Sequence, residues 1–175
     1  QIVKLLVNRL RLEAVVARHP EALRVPIERP VVIVGLPRTG TSHLHNLLSA
    51  HPELRFLPYW ESTETIAAPD FVVRPGEPDP RIARIQAGLD QGMALIPHQQ
   101  AMHEIDALTP HEEIGFFSMD FACPIFFTSF KVPSYRAWYR SADITPSYAY
   151  ARRVLQVVSF LRDGDRRWVL KSPMH

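Results

Sequence analysis

The stretch VVIVGLPRTGTSHLHNLL, residues 31–48, constrains this chain more than any other. Val31, Val32, Ile33 and Val34 form a run too short for a helix and apolar throughout, as expected of a strand buried on both faces of a parallel sheet. Gly35 and Gly40 follow at G-x-x-x-x-G spacing, and Leu44, Leu47 and Leu48 then share one face of a helix over 41–50 that ends before Pro52. A strand, a tight turn and a helix in this order aim backbone N–H groups and the positive end of the helix at one point, where an anion is favoured. Thr39, Thr41 and Ser42 add hydroxyl donors, and Arg38 adds a guanidinium fork matched to phosphate or sulfate oxygens.

What the loop lacks narrows the anion. Walker A places Lys-Ser/Thr after its second glycine, and this chain has Thr41-Ser42 there. A Walker B acid at the end of another strand helps to hold Mg²⁺, but the strand RRWVL ends in Lys171-Ser172. Both substitutions argue against triphosphate hydrolysis. Cations without metal ligands suit a donor carrying less charge on the transferred group.

The rest of the chain supplies the frame. Its 175 residues suit one domain, with a fold class of α/β: a P-loop-type parallel sheet flanked by helices. Residues 1–29 hold an N-terminal helix, with Val3, Leu6, Val7, Leu10 and Ala14 at helical spacing. Residues 30–60 form a β-loop-α-β unit whose second strand is LRFLP. The segment 61–145 is mostly helical, with an Asp79-Pro80 helix start ahead of Ile82, Ile85, Leu89, Met93 and Ile96. In Thr109-Pro110-His111-Glu112 the pattern predicts a capping box. Residues 146–175 bring a helix entered at Thr145-Pro146 and stopped at Gly164, then the core strand RRWVL. The chain opens on Gln1 and stops just past a core strand, which predicts a piece of a longer domain.

Composition removes several classes of function. A net charge of +2 with no block of Lys/Arg argues against nucleic acid as a partner. Cys123 is the only cysteine, so no intrachain disulfide forms. No apolar run approaches the ~20 residues of a bilayer-spanning helix, so no integral membrane segment is expected, and the expected location is the cytoplasm. His103 and His111-Glu112-Glu113 do not match H-E-x-x-H, and no metal site is expected. His43 and His45 are expected to decorate the surface of their helix.

Three polar clusters follow predicted strands: GLPRTGTS, YWE and KSPMH. The carboxyl ends of strands in an open parallel sheet share one edge, where ligands bind, so the three should converge. The PRTGTS loop resembles the 5′-phosphosulfate loop of the PAPS-dependent sulfotransferases, and GLPRTGTSHLHNLLSAHPELR with WVLKSPMH is similar to the bacterial branch of that family. The resemblance implies transfer of a sulfuryl group from 3′-phosphoadenylyl sulfate (PAPS) to an acceptor hydroxyl or amine, with adenosine 3′,5′-bisphosphate (PAP) as product and no metal. By position, Pro37, Arg38, Thr39, Gly40, Thr41 and Ser42 would bind the phosphosulfate, Arg38 and Lys171 would act on the transferred group, and segment 61–145 would hold a small-molecule, lipid or glycan acceptor. The Ser and Arg that the family uses for the 3′-phosphate would lie beyond His175.

An acceptor hydroxyl must lose a proton as it attacks, so a base is needed. Glu61, beside Trp60, is the expected base, because partial desolvation would raise its carboxyl pKa toward neutrality. The competing catalytic candidate is His175, four residues after Lys171 where cytosolic relatives place a histidine two residues after. Aromatics between Phe116 and Tyr139 are expected in the core, with some lining an apolar acceptor pocket. A P-loop kinase or NTPase with a displaced lysine, or a non-catalytic nucleotide-binding protein, are the alternatives.

Overall fold

The computed structural model describes residues 2–36, 38–68, 76–95, 105–162 and 166–175. Helix α1 (Ile2–Arg18) leads through a 3-10 turn (Pro20–Arg24) into strand β1 (Val31–Ile33), followed by helix α2 (Thr41–Ser49). Strands β2 (Leu54–Arg55) and β3 (Leu57–Pro58) precede the short helix α3 (Tyr59–Thr63) and helix α4 (Pro80–Leu95). Strand β4 (Pro110–His111) and helices α5 (Ile114–Met119), α6 (Ile125–Ser129), α7 (Pro133–Ser141) and α8 (Thr145–Leu161) lead to strand β5 (Arg167–Lys171).

The sheet is parallel, in the order β1-β5-β2. The late strand RRWVL therefore inserts between the two strands of the β-loop-α-β unit. Val31 pairs with Val169 and Ile33 with Lys171, so the carboxyl ends of β1 and β5 lie level. This register brings the loop after β1 to Lys171. The second strand is cut short: β2 ends at Arg55, opposite Trp168, and β3 leaves the sheet to pair antiparallel with β4.

One core unites α1, α5, α8 and one face of β5. Leu12, Phe116, Phe117, Val154, Val157 and Leu170 are buried in it, with Trp168 beside them. In α8, Val154, Val157 and Val158 are buried at helical spacing, while Leu161 is exposed at its end. Gly164 and Ile96 lie outside the described residues.

Three local expectations are corrected. Val32 and Val34 are exposed rather than buried: they share the face opposite the buried Ile33, so only one face of this run is covered in the described structure. In α2 the residue facing β5 is His45, and Leu44 and Leu47 face outward. Helical periodicity fixes which residues share a face, but not which face the sheet receives. Thr109-Pro110-His111-Glu112 is not a capping box: Pro110 and His111 are strand β4, the next helix starts at Ile114, and the Thr109 hydroxyl accepts a hydrogen bond from the Asp106 N–H. Backbone pairing with Leu57-Pro58 outcompeted the local cap.

Candidate active site

The loop between β1 and α2 is shaped by three backbone constraints. Gly40 takes φ +87° and Arg38 φ +68°, both left-handed. A Cβ on Gly35 would stand 2.8 Å from Thr41 Cγ2 and 3.2 Å from Thr39 Oγ1, so any side chain there would displace the two threonines of the loop. Thr39 donates its hydroxyl to the Leu36 carbonyl at 2.6 Å, fastening the loop to itself. Thr41 and Ser42 open α2, where the first N–H groups have no intrahelical acceptor. Arg38 is an exposed cation beside them, and Pro37 lies outside the described residues. Donor groups of this kind fit a phosphosulfate.

Lys171, the last residue of β5, joins the loop. Its Nζ donates to Ser42 Oγ at 3.3 Å and pairs with Glu112. Glu113, only 2% exposed, accepts from the Lys171 backbone N–H at 3.1 Å, and its Oε1 is 2.5 Å from His175 Nε2. The Tyr148 hydroxyl donates to the Met174 carbonyl at 2.8 Å and lies 3.2 Å from His175 Nδ1. Both nitrogens of His175 are thus engaged in holding the segment after β5.

His45 is the unexpected member. It is 1% exposed, and neither ring nitrogen has a hydrogen bond of normal geometry, although the Val169 carbonyl lies near enough to favour a proton on the ring. Burial, reinforced by the Lys171 cation, pushes its pKa down to about 4 against the opposing charges of Glu113 and Glu112. A cavity of about 210 Å³ is lined by Ser42, His45, Thr109, His111, Glu112 and Lys171, among others.

Glu61 keeps different company. It lies in α3, not in a loop, because Tyr59 and Trp60 give their N–H groups to Thr109 and Ala107 carbonyls and the chain then coils. Its carboxylate is 2% exposed and pairs with Arg55 at 3.3 Å and Arg162 at 3.0 Å. Arg162 continues to Asp79 at 2.9 Å, and Asp79 to Arg81 at 2.8 Å, with the Trp60 ring under both guanidinium groups. Glu61, Arg55, Arg162 and Arg166 line a separate, larger hollow of about 490 Å³. No hydrogen bond or ion pair joins Glu61 to Arg38, Ser42 or Lys171 among the described residues.

Two of the three polar clusters therefore meet, and the pair Glu112-Glu113 stands beside them instead of YWE. Adjacent carboxylates in the apolar setting TPHEEIGFF were the available signal, masked by assigning Glu112 to a helix cap. His43 is exposed, as expected for a helix surface, and His103 lies outside the described residues. Among the described residues no three His, Cys, Asp or Glu side chains gather as a metal-binding group, and no helix is long and apolar enough to cross a membrane.

The sulfotransferase family profile matches residues 30–175. This chain belongs to the sulfotransferase family. The solved structure of sulfotransferase STF1 from Mycobacterium tuberculosis H37Rv is similar at 31% identity and TM-score 0.78, over 99% of this chain and 47% of that one. Sulfotransferase STF9 from Mycobacterium avium is similar at 30% identity and TM-score 0.76, over 99% of this chain and 44% of that one. The chain thus spans less than half the length of either. No curated protein sequence matches.

Proposed function

We propose that the protein transfers a sulfuryl group from PAPS to an acceptor hydroxyl or amine. The observation that carries this reading is the 3.3 Å contact between Lys171 Nζ and Ser42 Oγ, which sets a strand-end cation against the anion loop where an NTPase would hold a metal-binding acid. In this reading Arg38 and the N–H groups of Thr41 and Ser42 bind the 5′-phosphosulfate. Lys171 stabilises the negative charge that develops on the bridging oxygen as the S–O bond breaks, and PAP leaves. The acceptor sits in the cavity between α2 and β4.

The proton acceptor in this reading is Glu112. Its carboxylate lines that cavity and pairs with Lys171, whereas both nitrogens of His175 are already engaged. When Lys171 turns to the donor, Glu112 is released to take the proton of the attacking hydroxyl. Glu61 is the alternative, favoured by its burial beside Trp60 but committed to two arginines.

The test is PAP release from PAPS by the full-length protein over a panel of phenolic, sugar and lipid alcohols. With an acceptor that supports turnover, Glu112→Gln should lower the rate ~10²-fold or more with PAP affinity retained, while His175→Asn has a smaller effect. A Glu61→Gln variant that folds and binds PAP normally yet loses turnover, with Glu112→Gln active, would transfer the role to Glu61. If no acceptor yields PAP, sulfuryl transfer itself is refuted.

A further inference from the structure

Glu113 stands at the start of α5, where a side-chain acceptor can cap the helix, yet its carboxylate makes no capping hydrogen bond. It reaches instead to the end of β5. Its Oε2 accepts from the Lys171 N–H at 3.1 Å, beyond the point where β2 stops opposite Trp168. Its Oε1 lies 2.5 Å from His175 Nε2, with one proton between them. The turn from Lys171 to His175 is closed by the Met174 N–H on Ser172 Oγ at 3.3 Å and the His175 N–H on the Ser172 carbonyl at 3.4 Å. Tyr148 fixes the other side of the imidazole. Its single hydroxyl proton goes to the Met174 carbonyl, so its oxygen accepts from His175 Nδ1–H. Glu113 thus ties both ends of the turn. The Glu113 side chain is 3% exposed or less and that of His175 11%, so the clamp is internal.

We propose that Glu113 is a positioning residue that holds the main chain of Lys171 so that its ammonium group meets the transferred sulfuryl group. That role rests on the sulfuryl transfer proposed above. The neighbouring carboxylates divide the lysine between them: Glu112 pairs with Nζ, and Glu113 binds the backbone N–H. Glu112 lines the cavity beside Lys171, whereas Glu113 is not among the residues that line it. Glu113 therefore acts through Lys171 rather than on a substrate. A lysine is a point charge on a flexible stem, with no planar fork to fix its direction. When Nζ leaves Glu112 for the donor, the anchored N–H keeps the base of that stem in place. In the transfer, the acceptor oxygen bonds to sulfur, the bridging S–O bond breaks with its electron pair passing to PAP, and Glu112 takes the acceptor proton. Glu113 makes and breaks no bond in this step. Its share is alignment, where a misplacement of about 1 Å can cost ~10²-fold in rate.

Glu113→Leu and Glu113→Gln in the full-length protein separate alignment from charge. Leucine fills the space without a hydrogen bond. Glutamine keeps both contacts: its carbonyl accepts from the Lys171 N–H, and its NH₂ donates to Nε2 of a ring protonated on Nδ1. With an acceptor that supports turnover, Glu113→Leu should lower kcat roughly tenfold or more, with the KM for PAPS changed less than about twofold. Glu113→Gln should stay within about threefold of wild type. In a Lys171→Met background, Glu113→Leu should cost nothing further, because the group it aligns is gone. In the ligand-free protein, the Lys171 amide should exchange its hydrogen slowly in wild type and Glu113→Gln, and roughly tenfold faster or more in Glu113→Leu. Equal losses of turnover in the Leu and Gln variants overturn the proposal, because Glu113 then acts by its charge. A full effect of Glu113→Leu in the Lys171→Met background overturns it too, since the residue then supports the fold in general. An unprotected Lys171 amide in an active wild-type enzyme removes the clamp and leaves the reaction intact. A protected amide in a protein that releases no PAP with any acceptor refutes the reaction, and the positioning role with it.

Discussion

Replacing His45 with leucine should flatten the acid dependence of stability. Burial and Lys171 hold the imidazole neutral in the folded protein, with a pKa of about 4 against the ordinary 6.5. Above pH 6.5 the ring is neutral in both states and costs nothing. As pH falls below 6.5 the unfolded chain takes up the proton and the native state does not, so stability drops until the native ring also titrates near pH 4. For a shift of this size the loss is about 2 kcal/mol at pH 5 and about 3 kcal/mol below pH 4, a large share of a typical domain's ~5–15 kcal/mol. Leucine has similar bulk, does not titrate, and removes two buried nitrogens without good hydrogen bonds. Urea unfolding at pH 7.5 and pH 5 is the assay. His45→Leu should be at least as stable as wild type at pH 7.5 and should lose about 2 kcal/mol less on moving to pH 5. Parallel losses in the two proteins would refute a neutral, buried His45.

Asp79 should control the acid limb lower down. Burial disfavours its charge, but hydrogen bonds from the Arg81 side chain and backbone and from Arg162 overcome this and hold its pKa down to about 2. The stability it contributes is complete above pH 3.8 and is lost as pH falls toward 2, about 2 kcal/mol in all. Asp79→Asn should cost about 3 kcal/mol or more at neutral pH, because Arg81 and Arg162 lose a buried carboxylate, and urea titrations from pH 5 to pH 2 should show this acid limb gone. Arg38→Gly should cut turnover ~10²–10³-fold without lowering the melting temperature, since glycine suits the left-handed backbone at that position. A variant that melts early and stays active would make Arg38 structural.

The fold was legible where local pattern and global packing agree. The apolar run, the two glycines and the Asp79-Pro80 start fixed their elements, and the Arg81 N–H does bond to Asp79 Oδ1 at 3.0 Å. Convergence of PRTGTS with KSPMH followed from the parallel-sheet rule, and the contact of Lys171 with Ser42 realises it. Glu61 and Glu112 were not legible in the same way, because their placement depends on pairing between segments about fifty residues apart. Antiparallel β3 and β4 draw the chain out of the parallel sheet at Leu57, turning Tyr59–Thr63 into a helix and carrying Glu112 to Lys171. Likewise nothing in the spacing of α2 says that a histidine rather than its leucines faces β5.

The loop's choice of anion is the centre of the account, and thermal denaturation of the full-length protein with competing nucleotides measures it. Without added metal, PAP at ~100 times its dissociation constant adds ~2.7 kcal/mol and should raise the melting temperature by several degrees. The gain should shrink sharply in Arg38→Gly, and ATP with Mg²⁺ should stabilise less than PAP. A larger rise with ATP and Mg²⁺ than with PAP, equal in wild type and Arg38→Gly, would contradict the assignment of this loop to a phosphosulfate donor.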